Sequence, residues 1–112
     1  MPRDFTVFLE DILEACGKIG RYTSDLSLEQ FRQDEKTIDA VVRNLEIIGE
    51  AAKKLPENTR TEITVDWKRI AGLRDVLIHD YFGIDVEIIW DIVQTKVPDL
   101  FREVSSYLRK DR

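Results

Sequence analysis

Arg74-Asp75-Val76-Leu77-Ile78-His79-Asp80-Tyr81 is the stretch that decides both the fold and the chemistry of this chain, and it holds the only histidine. From Trp67 onward, apolar residues recur at the three- and four-residue spacing of a helix: Trp67, Ile70, Ala71, Leu77, Ile78 and Tyr81. Arg74 falls on the same stripe, where an arginine is unusual. The pattern predicts a helix from Trp67 to about His79, with Arg74 facing a core or a partner.

The spacing of Arg74, His79 and Tyr81 limits how they can act together. Arg74 and Tyr81 are seven residues apart, so an unbroken helix places them on one face. His79 is five residues from Arg74, which points it well away. The arginine and the histidine therefore converge only if the helix frays near His79 or if a second copy of the chain supplies one of them.

The rest of the chain predicts an all-α, up-and-down bundle of four long helices plus one short helix, in a single domain spanning residues 1–112. The other long helices are expected from Asp4 to Arg21, from Glu35 to Leu55 and from Val86 to Leu108. A capping box at Ser27 and Gln30 begins the short helix. Residues 57–65 predict a loop.

Two features of the last predicted helix point to a partner. Its apolar residues keep their phase through Pro98, which predicts one helix kinked at that proline. Ile88 and Ile92 add a second apolar side to it. A helix that is apolar on two sides is covered twice, so we expect a homodimer built on this helix and the helix that carries Arg74.

Composition narrows the functional classes. The chain is 43% hydrophobic and 35% charged, as in globular proteins, and no apolar run is long enough to span a membrane. The N-terminus shows no signal-peptide pattern, so we expect a cytoplasmic protein. Cys16 is the only cysteine and predicts a buried, inert thiol. A net charge of −5 disfavours broad nucleic-acid binding and favours a basic partner or a narrow substrate site.

A single histidine also limits the chemistry. It excludes the common zinc and di-iron sites, and no phosphate loop or dinucleotide fingerprint is present, so we expect no metal and no cofactor. No nucleophile motif supports a Ser/His/Asp triad. His79 can transfer protons and Arg74 can hold a phosphate, a pair that suits RNA cleavage by the neighbouring 2′-hydroxyl.

Structural roles for the same residues stay open on the sequence alone. His79 can be a histidine hydrogen-bonded near a helix end, and Arg74 can form a buried ion pair with Glu46, Glu50 or Asp75. Glu46 and Glu50 can equally belong to a solvated ion-pair face together with Arg43 and Lys53. Asp80 can hinder the approach of RNA or keep His79 protonated. Tyr81 can be a stripe residue with its hydroxyl at the rim.

Two segments resemble one known family. Residues 74–81 fit R-x-x-x-x-H-x-Y, and residues 43–51 fit R-N-L-x-x-I-G-E-A. With Asp85 and Trp90, they make the chain resemble the HEPN superfamily, and within it the HepT-like toxins of HEPN/MNT toxin–antitoxin pairs. The resemblance extends from about Phe5 to Leu108.

This resemblance implies a metal-independent endoribonuclease toxin that works as a homodimer, with the motifs of two subunits facing each other in a composite site. His79 would transfer protons and Arg74 would clamp the phosphate. Tyr81 would accept AMP from the MNT antitoxin, a minimal nucleotidyltransferase, and the added nucleotide would silence the toxin. A second interpretation is a non-catalytic helical subunit that docks a nucleotidyltransferase, and a third is a helical dimerisation domain without chemistry.

Overall fold

A computed structural model describes residues 3–80 and 85–110, and of residues 3, 4 and 74–80 it describes the backbone. The elements are α1 (Arg3–Thr23), α2 (Leu28–Arg32), α3 (Glu35–Lys53), α4 (Glu57–Glu62), α5 (Trp67–Asp80), α6 (Val86–Asp91), a π-helical segment (Ile92–Lys96) and α7 (Val97–Lys110). Every regular element in these two ranges is helical, which confirms the predicted all-α class. Helix α3 packs against α1, α2 and α5, and α1 packs against α7.

The core lies between the apolar stripes of α1, α3 and the C-terminal elements. Its fully buried large side chains are Leu9, Ile12, Ile19, Phe31, Val41, Leu45, Ile48 and Val104. Each large aliphatic side chain contributes about 1.5–3 kcal/mol on burial. Cys16 is 3% exposed within this cluster, as the sequence predicts. No described helix combines the length and the apolarity that crossing a membrane would require.

Side-chain caps begin the predicted helices where the sequence places them. The backbone N–H of Gln30 donates to Ser27 Oγ at 3.2 Å, and the backbone N–H of Ser27 donates to Gln30 Oε1 at 2.9 Å, which confirms the capping box. At α3, the hydroxyl and the backbone N–H of Thr37 both donate to the Asp34 carboxylate. These two hydrogen bonds lower the pKa of Asp34 because they stabilise its charged form.

The prediction of a loop over residues 57–65 is wrong for its first six residues, which form α4. Only Thr59 is buried on this helix, so its sequence carries no apolar period that could reveal it. A tertiary contact secures its C-terminal end. The Trp67 indole N–H lies 2.9 Å from the carbonyl oxygen of Arg60 and 3.0 Å from that of Ile63. The bundle therefore has two short helices where the sequence predicts one.

The elements α6, the π-helical segment and α7 run without a break from Val86 to Lys110 and are called the C-terminal helix below. Pro98 has no N–H to donate within a regular α-helix. The chain accommodates it with a π turn, in which the N–H of Val97 donates to the carbonyl of Ile92. One continuous helix is therefore confirmed, with its irregularity spread over the five residues 92–96.

Candidate active site

The helix that carries the R-x-x-x-x-H-x-Y motif is α5, and its first turn is held by two anchors. The backbone N–H of Arg69 donates to Asp66 Oδ1 at 3.1 Å, so Asp66 caps the helix. Trp67 is 9% exposed and fixes the start of α5 against α4. Half-buried Ile70 and Leu73 pack against the core in the following turn.

The backbone of α5 is helical from Trp67 to Asp80, so positions 74, 75, 79 and 80 all lie on it. The side chains of Arg74, Asp75, His79 and Asp80 are outside the described part of the structure, and Tyr81 lies outside the described residues altogether.

The helical register separates the two principal candidates. Five residues of α-helix turn through about 500°, which leaves positions 74 and 79 about 140° apart around the axis and about 7.5 Å apart along it. The backbone stays helical past position 79. The sequence allows Arg74 and His79 to converge in two ways, by fraying of the helix near His79 or through a second copy. The backbone does not fray near His79. Contribution from a second copy remains.

The helix that supports α5 is α3, and it carries the two glutamates considered as partners for Arg74. Glu46 is half-buried. Glu50 is more exposed and pairs with Lys54 one turn later, with 3.6 Å between Oε1 and Nζ. Both members of that pair are 52% exposed, so solvent screens their attraction.

The second described range begins at Asp85, four residues after Tyr81. The Asp85 carboxylate accepts the backbone N–H of Glu87 at 2.8 Å and caps the start of α6. Glu87 then forms an ion pair with Arg32 of α2. Next to it, the rings of Phe31 and Trp90 pack with their centroids 5.0 Å apart.

These contacts fix the start of the C-terminal helix to α2. Because α2 and α5 both pack on α3, the described ends of the connection that begins with Tyr81 are held to the same helix. Sequence reasoning did not single out the pair between Arg32 and Glu87. Its members are 55 residues apart, and no spacing rule links residues at that separation.

An apolar side chain is exposed to solvent beside the contacts between α2 and the C-terminal helix. Ile88 is 57% exposed, while Ile89 and Val93 are 3% and 4% exposed. Ile92, one turn after Ile88, is half-buried. The C-terminal helix thus directs one apolar side to the core and leaves part of a second side uncovered, close in the chain to the motif.

The whole chain is similar to known proteins. The family model described as Ribonuclease HepT-like matches residues 12–107. A candidate RNase of Methanocaldococcus jannaschii is 49% identical over 111 residues, which cover 97% of this chain and 92% of that protein. A candidate RNase of Caldanaerobacter subterraneus is 42% identical over 106 residues, or 94% and 95% of the two chains. The probable ribonuclease HepT of Thermococcus cleftensis is 44% identical over 101 residues, or 89% and 92%. No solved structure matches the chain.

Proposed function

Because this chain belongs to the HepT-like ribonuclease family, we propose that it is an endoribonuclease whose active site is assembled from two copies of the chain. The observation that carries the proposal is the unbroken course of α5 to Asp80. Within one copy, that course separates positions 74 and 79. A two-fold partner would bring a second Arg74 and a second His79 to the site, enough for an acid, a base and a phosphate clamp.

The chemistry follows from these residue types. One His79 takes the proton of a ribose 2′-hydroxyl as its oxygen attacks the adjacent phosphorus. The other His79 gives a proton to the departing 5′-oxygen. Arg74 binds the non-bridging oxygens, where negative charge increases in the transition state. The products are a 2′,3′-cyclic phosphate and a 5′-hydroxyl. Each step uses groups of the protein and of the RNA, so we expect cleavage to continue in EDTA.

The uncovered apolar side of the C-terminal helix supports a partner at this place. Ile88 lies three residues after Asp85, and a second copy seated there would cover it. Interfaces of permanent homodimers bury upward of about 2,000 Å² in total. A site between two copies also suits the charge of −5, because two arginines and two histidines make a narrow basic centre in an acidic body.

The remaining motif residues take roles around this centre. Tyr81 is the acceptor for AMP from a cognate MNT-type nucleotidyltransferase, and the protein acts as a toxin in the cytoplasm until it is modified. Each AMP adds a phosphodiester with about one negative charge, which competes with RNA for Arg74. Asp80 tunes the protonation of His79. Asp75 and Glu46 are the candidates to orient Arg74, with Glu50 a weaker one because it pairs with Lys54.

The test of a shared site is a mixed dimer. The wild-type chain and His79→Ala are unfolded together, refolded at equal amounts and assayed on RNA in EDTA. If one site needs both histidines, only dimers of two wild-type copies cleave, and activity falls to about one quarter of the same total of wild-type protein. If each copy has its own site, activity falls to about one half. The readout is the yield of 2′,3′-cyclic phosphate.

Two controls make this result decisive. His79→Ala alone should lose about 10²–10⁴ in rate while keeping its helical circular dichroism. Mass spectrometry of the intact dimers must show that subunits have exchanged. Cleavage by His79→Ala at the wild-type rate would remove the catalytic assignment. Partner binding without any cleavage by the wild-type chain would instead favour the non-catalytic docking subunit.

The acceptor role of Tyr81 has its own test. Incubation with the cognate nucleotidyltransferase and ATP should add whole adenylyl groups to the intact mass and stop RNA cleavage. Tyr81→Phe keeps the ring and removes the acceptor oxygen, so it should gain no mass. Tyr22, 41% exposed on α1, is the matched control, and Tyr22→Phe should be modified like the wild type. A mass gain that persists in Tyr81→Phe would assign the acceptor elsewhere.

A further inference from the structure

A groove runs along the surface between α1 and α3. It consists of two adjoining cavities, of about 200 and 280 Å³, which both contact Asp11. Phe8 and Lys54 line one end, and Lys18 and Asn44 line the other. Since early residues of α1 lie beside late residues of α3, the two helices are antiparallel here. This α1–α3 groove is built partly from residues 43–51, the second segment that the sequence analysis singled out. Glu50 is the one lining residue to which the proposed ribonuclease gives a role.

The charges of the groove leave one carboxylate without a partner. Lys54 pairs with Glu50 and lies 5.5 Å from the centre of the Phe8 ring. Lys18 pairs with Glu14 at 3.3 Å. Asp11, between these two pairs, has no ion-pair partner among the described side chains of residues 5–73 and 85–110. The occupant that complements the centre of the groove therefore carries a positive charge, and the phosphates of RNA would meet three carboxylates there.

The floor of the groove is lined by apolar side chains, two of them small. Ala15 and Ala51 are 2% and 5% exposed, and Ile47 between them is half-buried. Alanines let the backbone of an incoming element approach closely. A floor of this kind suits a packed secondary-structure element that presents apolar side chains to it.

One buried polar group lines the same groove. Asn44 is 6% exposed, and its Nδ2 donates to the carbonyl oxygen of Ala40, 2.9 Å away in the same helix. That bond uses one of the two N–H groups of the amide. Asn44 also lines one of the two cavities, so an element bound there meets a hydrogen-bonding side chain beside the apolar floor. A polar group at one end of an apolar floor fixes the register of what binds there.

The length of the groove identifies the kind of element. Phe8 and Lys18 are ten residues apart on α1, or about 15 Å, which is about three turns of a second helix. An extended segment would bury several peptide groups that need hydrogen-bond partners, and among its lining residues the groove offers them one uncharged partner, the side-chain amide of Asn44. A helix satisfies its own peptide groups. We propose that the α1–α3 groove docks an amphipathic helix of a partner protein, which sets an Arg or Lys against Asp11 between small apolar side chains.

A labelled helical peptide tests the proposal on the full chain. The probe has about 14 residues, an alanine and leucine stripe and one central arginine, and its fluorescence anisotropy is followed as protein is added. We expect saturable binding that Asp11→Lys weakens by at least about tenfold. A second peptide with glutamate in place of the arginine should show the reverse preference and bind Asp11→Lys more tightly than the wild type.

Glu10→Lys is the matched control, because Glu10 is the exposed neighbour of Asp11, lies outside the groove and changes the net charge by the same amount. It should alter binding by less than about twofold. Equal weakening by the two variants, or no saturable binding to the wild type, would overturn the proposal. Amide signals of Ala15 and Ala51 should shift on binding. Shifts centred on Ile88, or an RNA oligonucleotide that shifts Ala15 and Ala51 instead, would also overturn it. None of these outcomes depends on RNA cleavage.

Discussion

At the scale of single residues, Cys16 shows how the core controls a reactive group. The thiol lies on the buried stripe of α1, and burial raises its pKa to about 12 because the thiolate would lose its hydration there. In an unfolded chain the same thiol titrates at about 8.5. Below that pH both states are protonated, so the folded state has the full benefit of the neutral thiol. As the pH rises from about 8.5 toward 12, the unfolded chain alone loses the proton, and stability decreases.

We therefore expect Cys16→Ala to lose less stability than the wild type between about pH 8 and pH 10. All other titrating groups are common to both proteins. The difference between the two slopes of unfolding free energy against pH, each measured by urea unfolding, therefore isolates the thiol. Native protein should resist a thiol reagent at pH 8, and urea should expose the thiol to it. Equal pH slopes, or rapid labelling of the native protein, would contradict the assigned burial.

Single residues also mark where sequence reasoning stops. The cap residues Ser27, Asp34, Asp66 and Asp85 can be predicted, because a cap acts within a few residues along the chain. Asn44 is buried although it is polar, since its burial comes from the packing of α1 on α3. The ion pair between Arg32 and Glu87 likewise depends on how two distant helices meet.

At the scale of elements, the C-terminal helix shows how the spacing of its apolar residues favours a particular backbone geometry. Its buried residues are Ile89, Val93, Val97, Leu100, Val104 and Leu108, in steps of four, four, three, four and four residues. Those steps exceed the average of a regular α-helix, and the π turn at 92–96 absorbs the surplus. The phase was therefore predictable, but the π turn was not, since a kink at Pro98 satisfies the same letters. Helix α4 was not predicted, because its sequence has no apolar periodicity that would reveal a helical backbone.

Removing the surplus residue should restore a regular helix. Deletion of exposed Gln94 leaves steps of four, three, three, four and four, which average the 3.6 residues of an α-helical turn. Pro98→Ala must accompany it, since proline inside an α-helix costs about 3 kcal/mol. We expect this double variant to fold with a urea midpoint near that of the wild type.

The control deletes exposed Arg102 in the Pro98→Ala background. That deletion rotates Val104 and Leu108 by about 100° away from the core and should unfold the protein or lower its midpoint strongly. Equal midpoints for the two deletions would show that the π turn does not set the phase.

At the scale of the whole molecule, two exposed apolar residues differ in their surroundings, and the difference indicates which of them belongs to an interface. Val7 and Ile88 are 51% and 57% exposed. Ile88 stands beside half-buried Ile92 on the C-terminal helix, while Val7 lies on the outer side of α1 between exposed and half-buried neighbours. Of these two residues, only Ile88 continues an apolar side that the bundle leaves partly uncovered, so we place the interface of the proposed dimer there.

We expect Ile88→Asp to convert the dimer to a folded monomer, because a carboxylate buried without a partner is strongly unfavourable. Val7→Asp, an equal change at an equally exposed position, should remain dimeric. Sedimentation velocity at micromolar concentration and circular dichroism decide both points. The monomer should also cease to cleave RNA, since it would hold one histidine per site. A dimer that survives Ile88→Asp would move the interface elsewhere.

The π turn also bears on descent. It adds one residue to a helical turn, so the insertion of a single codon within residues 92–96 of an α-helical ancestor would produce it. Homologues with a plain α-helix at this place should be one residue shorter between Ile89 and Leu100 and should lack a proline at position 98. An alignment that puts the gap later in α7 would pair Leu100 and Val104 with the exposed side of the homologue's helix. Where the gap is placed therefore decides whether the two cores are compared residue for residue.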